Sequence, residues 1–143
     1  MKEDVDTIGK SIEERKDEVI QLASKLIQLD TQNPPGYTDE IVNFIEDKLN
    51  GLDKISTERF EKVDRKPGLI VSLNCGDGPV IFLVGHLDVV PANPEKWSFP
   101  PLSGKIEEGY LYGRGASDMK GGVASMMIAF EELAKHSGEL SGT

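Results

Sequence analysis

The chain has 143 residues, 38% apolar and 29% charged, a balance that fits a folded globular domain and excludes a disordered or fibrous chain. Lys and Arg number 16 against 25 Asp and Glu, leaving a net charge of −9, which argues against nucleic acid and anionic membrane surfaces as partners. No apolar run approaches the roughly 20 residues that cross a bilayer, Met1-Lys2-Glu3-Asp4-Val5-Asp6 has no apolar export segment, and the lone cysteine, Cys75, allows no internal disulfide, so a reducing, cytoplasmic setting is expected.

Residues 1–10 are polar and aperiodic and are expected to form a flexible N-terminus, with the domain occupying 11–143. Ser11-Ile12-Glu13-Glu14 has the pattern of a capping box and predicts a helix start at Ser11. Val19, Leu22, Ala23, Leu26 and Ile27 then recur at helical spacing as one buried stripe. Thr31-Gln32-Asn33-Pro34-Pro35-Gly36 stops that helix, since proline donates no hydrogen bond. Thr38 is placed to cap a second helix with Ile41, Phe44, Ile45 and Leu49 inward, ended by Asn50-Gly51.

Residues 55–63 alternate as a half-exposed strand does, and Leu69-Ile70-Val71-Ser72-Leu73 is a short β-branched run. After the turn Gly76-Asp77-Gly78-Pro79, the segment Val80-Ile81-Phe82-Leu83-Val84 is apolar throughout, which predicts a strand covered on both faces. Residues 91–103 hold Pro91, Pro94, Pro100, Pro101 and Trp97 and read as an irregular loop. Lys105-Ile106 and Tyr110-Leu111-Tyr112, joined through Glu108-Gly109, read as a hairpin. A third helix carries Val123, Met126, Met127, Phe130 and Leu133 on one face and ends at Gly138. The last residues, Glu139-Leu140-Ser141-Gly142-Thr143, read as a turn towards a further strand. Helices flanking apolar strands indicate an α/β layered domain.

Two stretches could carry chemistry. In Gly85-His86-Leu87-Asp88, the side chains at i and i+2 of an extended chain share a face, at a strand's carboxyl end where α/β sheets place their sites. Such a pair is either a metal-binding imidazole with its orienting acid, or a hydrogen-bonded strand-end histidine beside a turn aspartate. Gly113-Arg114-Gly115-Ala116-Ser117-Asp118 follows a strand and precedes a helix. Its glycines match the start of a dinucleotide fingerprint, but Asp118 stands at the third glycine position and would face a pyrophosphate. Asp118 suits a cation, or a plain helix cap. Gly9-Lys10-Ser11 lacks the preceding glycine and strand of a phosphate loop. Cys75, His136 and Glu107-Glu108 are assigned no chemistry.

Taken in order, Gly85-His86-Leu87-Asp88-Val89-Val90-Pro91, then Trp97, Pro100 and Pro101, then Gly109-Tyr110-Leu111-Tyr112-Gly113-Arg114-Gly115-Ala116-Ser117-Asp118-Met119-Lys120-Gly121-Gly122 closely resemble the metallopeptidase M20 family, in particular its acetylornithine deacetylase and succinyl-diaminopimelate desuccinylase branch. The resemblance spans about residues 11 to 140 and the opening part of the family's catalytic domain. It implies an α/β fold: a three-layer sheet with flanking helices, a partial zinc-exopeptidase-like catalytic domain truncated mid-sheet. It implies hydrolysis of N-acyl amino acids or small peptides at a pair of Zn²⁺ or Co²⁺ ions. His86 is then similar to a ligand of one metal, Asp118 to the carboxylate bridging both, and Asp88 to the catalytic-site acid that orients and charges the imidazole. The Asp118–Met119 peptide is expected to be cis.

The family's paired glutamates, one a general base and one a ligand, fall after the third helix, beyond Thr143. Two protein ligands remain where a catalytic zinc takes three, so weak metal binding and no turnover by this chain alone are expected. A sheet stopped short leaves an edge uncovered, which predicts self-association or a complementing chain. The alternative is a scaffold or split subunit that keeps the fold without the chemistry.

Overall fold

The computed structural model describes residues 2–143, with side chains from Thr7 onward. Helix α1 spans Lys2–Glu14 and α2 spans Lys16–Gln28, separated by Arg15, which leaves the helical region at φ −92°, ψ 9°. The expected start at Ser11 is therefore corrected. The segment expected to be flexible is helical from Lys2, and Met1 lies outside the described residues. The capping reading fails because the Ser11 hydroxyl is engaged elsewhere: it donates to Glu132 Oε1 at 2.6 Å, 121 positions away.

Helix α3, Asp39–Leu49, begins after Thr38 as expected, but the Thr38 hydroxyl donates to the Pro67 carbonyl at 2.9 Å instead of capping. Strands β1 (Ile55–Phe60) and β2 (Gly68–Leu73) pair antiparallel with Ile55 opposite Leu73, and β3 (Lys105–Glu107) pairs with β4 (Tyr110–Tyr112) as the expected hairpin. Helix α4, Gly121–Lys135, follows the glycine-rich stretch.

The core is helical. Leu22, Ala23 and Leu26 of α2 meet Ile41, Ile45 and Leu49 of α3 and Val123, Ala124, Met127 and Ile128 of α4, with Leu69 and Val71 of β2 packed against them. Apolar side chains at i, i+3 and i+4 form the meeting stripes. On α4 the buried face is rotated from the expected one. Glu131 and Glu132 are buried, while Met126, Phe130 and Leu133 are only half-buried. The carboxylates go inward because Arg15, Lys48, Lys135 and Ser11 converge on them.

The architecture is mixed α and β, and among the described residues the sheets are two separate pairs. Residues 80–84 do not form the expected covered strand: Phe82 and Val84 are each 81% exposed. The physical reason is a lack of partners. The described backbone contacts of this stretch are with the chain end, where Ile81 N–H donates to Thr143 O at 2.8 Å and Thr143 N–H to Pro79 O at 3.0 Å. A strand buried on both faces needs neighbours along both edges and layers above and below it.

Candidate functional site

The segment that follows residues 80–84 carries His86 and Asp88, and its end is held from the side by the segment after α2. Val89 N–H donates to Thr31 O at 3.0 Å and Asn33 N–H to Val89 O at 2.8 Å, a parallel bridge centred on Gln32 and Val89. The buried Thr31 hydroxyl donates to Leu87 O at 2.7 Å. The stretch after α2 is therefore also the rail that holds the histidine segment.

Asp118 arrives by a different route. Gly115 adopts a left-handed φ of +87°, and Asp118 and Met119 sit outside the helical region before α4 begins. The Asp118–Met119 peptide is cis, as expected. The next residue, Lys120, is completely buried, and its ammonium donates to Leu29 O at 2.7 Å at the end of α2. That bond ties the start of α4 to the C-terminus of α2, where a positive charge is favoured by the helix dipole. Burial pushes the Lys120 ammonium down to about 8, partly opposed by the charge of Asp30.

These two routes bring the residues together across 32 positions. His86 Nε2 lies 2.9 Å from Asp118 Oδ1. His86 Nδ1 lies 2.9 Å from the Asp88 carbonyl oxygen and 3.5 Å from its carboxylate Oδ1. Asn33 Nδ2 donates to Asp88 Oδ2 at 2.9 Å, and His86 N–H points at Met119 Sδ at 3.3 Å. Asp88 thus reaches the ring mainly through its main chain, while Asn33 steadies its side chain.

The proton count of this arrangement is informative. A carbonyl oxygen only accepts, so Nδ1 carries its hydrogen. Nε2 faces a carboxylate oxygen, another acceptor, and a neutral ring would set two lone pairs against each other. The site therefore needs a positive charge at Nε2, and the hydrogen bond to Asp118, followed by that to the Asp88 backbone, raises the His86 pKa against a slight desolvation. A proton meets that need, and so does a metal ion shared by the nitrogen and the carboxylate. The donor chemistry fits such an ion in part. Both donors are open to solvent, with Asp118 85% exposed, but among the described residues no three His, Cys, Asp or Glu side chains converge to complete its shell.

The pair opens on a cleft of about 480 Å³ that Asn33, Trp97, Tyr112 and Arg114 also border. Arg114 stacks over Trp97, 5.2 Å from the ring centroid. Sequence reasoning missed Asn33, taken only as a helix-stop residue, and Lys120, quoted only within a motif. No local signal marks either, because each acts on a residue more than fifty positions away.

Residues 82–143 match the family described as "Peptidase family M20/M25/M40". A succinyl-diaminopimelate desuccinylase of Hydrogenovibrio crunogenus is 36% identical over 130 residues, covering 88% of this chain and 32% of that protein. Probable succinyl-diaminopimelate desuccinylases of Staphylococcus aureus and Staphylococcus epidermidis are 32% and 33% identical, over 88% and 87% of this chain and 31% and 30% of theirs. The chain spans about a third of the length of these curated relatives.

Proposed function

We propose, from the premise that through residues 82–143 this chain belongs to peptidase family M20/M25/M40, that it supplies part of the site of a metal-dependent amidohydrolase acting on N-acyl amino acids or small peptides. His86 Nε2 and the Asp118 carboxylate are the metal ligands, and Asp88 with Asn33 behind it fixes the imidazole. The cofactor we assign is a pair of Zn²⁺ or Co²⁺ ions, whose chemistry when bound is the activation of water and the polarisation of an amide carbonyl. Succinylated amino acids are the favoured substrates, since three relatives named as desuccinylases match most of this chain. A setting in the cytoplasm is proposed from the lone cysteine, and among the described residues no helix is long and apolar enough to cross a membrane.

The observation that carries this reading is the 2.9 Å approach of Nε2 to Asp118 Oδ1 on an open cleft. With two donors, the chain alone binds metal weakly and leaves substrate unhydrolysed. Zn²⁺ competition against a chromophoric chelator tests the assignment. His86→Ala and Asp118→Ala are each expected to weaken binding by about tenfold or more. Unchanged affinity in both variants would overturn it and leave a scaffold without chemistry.

We also propose that the uncovered stretch at residues 80–84 makes the chain self-associate or take a complementing chain. Five consecutive apolar side chains, Val80 to Val84, are exposed, a pattern that invites pairing along the strand edge. Sedimentation velocity should show oligomers that shift towards monomer in Phe82→Lys. A wild-type chain that stays monomeric up to its solubility limit would count against this.

A further inference from the structure

We infer that Arg114, held against Trp97, is the anion anchor of the cleft and takes a carboxylate of the substrate. This deepens the amidohydrolase reading and rests on it for the word substrate, but its geometry stands apart from the metal ligands. Arg114 is the one Lys or Arg among the described residues lining the cleft, whose other charged side chains are His86, Asp88 and Asp118. Its main chain is fixed by donation to Pro101 O at 2.6 Å. Its guanidinium lies 5.2 Å from the centroid of Trp97, within range of an attractive cation–π contact.

Within the described residues this guanidinium has no hydrogen bond and no ion pair, and its Nε is buried without an acceptor. The contrast with the other arginines is informative: Arg15, Arg59 and Arg65 all pair with carboxylates. A guanidinium offers five N–H donors in a planar fork that matches a carboxylate. One that is stacked and left without an acceptor beside an open cleft is pre-organised for an acceptor from outside the chain. In a protein of net charge −9, with Asp88 and Asp118 on the same cleft, an anionic ligand is repelled unless a cation receives it. The ligand class is therefore a carboxylate-bearing acyl amino acid, with the anion at Arg114 and the amide towards His86 and Asp118.

Trp97 is the only tryptophan of the chain, so its emission reports on the stacked guanidinium directly. The experiment titrates the chain with succinate at constant ionic strength and with a chelator present, using succinamide as the uncharged control. A saturable change in Trp97 emission with succinate and none with succinamide is expected. Arg114→Gln should weaken the response by about tenfold or more, the worth of a charged hydrogen-bond pair, and Arg114→Lys, which keeps charge but not the fork, should fall between. Arg59→Gln, at an arginine outside the cleft that pairs with Glu46, should leave it intact. Circular dichroism checks that each variant is folded.

An equal response to succinamide, an unchanged response in Arg114→Gln, or a loss in His86→Ala with Arg114→Gln unaffected would overturn the assignment. The last result would place the carboxylate on the imidazole. Because no metal takes part in the titration, failure of zinc binding leaves this result readable, and failure here leaves zinc binding untouched.

Discussion

Replacing Arg15 by methionine is expected to lower the unfolding free energy by about 3–5 kcal/mol, the cost of leaving buried carboxylates without their partner. Arg15 sits at the break between α1 and α2. Its guanidinium pairs with Glu131, lies 3.4 Å from Glu132 Oε2 and reaches Glu18 at 2.5 Å. Lys48 at 3.0 Å from Glu131 and Lys135 at 2.8 Å from Glu132 remain in the variant, but both come from the rim. Methionine keeps most of the aliphatic bulk, so the loss is electrostatic and not a cavity. Domains of this size hold only about 5–15 kcal/mol in total, so urea denaturation should show the change plainly. Combining Arg15→Met with Glu131→Gln and Glu132→Gln should recover much of it, since removing a whole buried charge cluster costs far less than halving it. A loss below about 1 kcal/mol in the single variant would mean that water reaches the cluster.

The same cluster predicts acid lability. Burial alone would push the Glu132 carboxyl up, but hydrogen bonds from Lys135 and Ser11, with the charges of Lys135 and Arg15, outweigh it and lower it from 4.5 to about 2. In the unfolded chain the group takes its proton first as pH falls, so the stabilisation is complete above about pH 4.5 and is lost towards pH 2. The integrated loss is about 3 kcal/mol. Glu132→Gln should flatten that limb of the stability profile.

The second large effect belongs to Gly115. A Cβ added there would lie 2.6 Å from Val89 Cγ1 and 3.3 Å from Lys120 Cδ, at a backbone φ of +87°. Val89 and Lys120 are both buried, so neither can swing away. Left-handed strain of about 1–2 kcal/mol and overpacking of about 1–3 kcal/mol together place Gly115→Ala at about 2–5 kcal/mol. The damage should reach the site, because Val89 follows Asp88 and Lys120 follows Asp118 by two residues. We expect the His86 ring resonances to shift and zinc affinity to fall. Gly109→Ala is the control: its φ is +80° but a Cβ there meets nothing, so only the backbone term applies. Equal effects of the two substitutions would show that the contact with Val89 carries no weight.

Much of the fold could be read from the chain because its signals are local. The periodic apolar stripes of α2 and α3 and the Glu108-Gly109 turn of the hairpin all act within a few residues. The two candidate stretches at 86–88 and 113–118 could be found for the same reason. Their meeting could not be derived from either one, and rests on Thr31, Asn33 and Lys120, which bond across 56, 55 and 91 positions.

The misreadings share one cause. Ser11 looks like a cap until Glu132 claims its hydroxyl, and Met126, Phe130 and Leu133 look like the inward face of α4 until Arg15 draws Glu131 and Glu132 inward. Residues 80–84 look like a buried strand because their composition is that of one, yet composition cannot supply neighbours. By itself the amino-acid order determined that α2, α3 and α4 form, with the hairpin and the residue types available for chemistry, since these depend on short-range sterics and spacing. Only the tertiary structure decided which polar groups are buried, which apolar run is bare and which imidazole faces which carboxylate, because desolvation and charge pairing are settled by partners far along the chain.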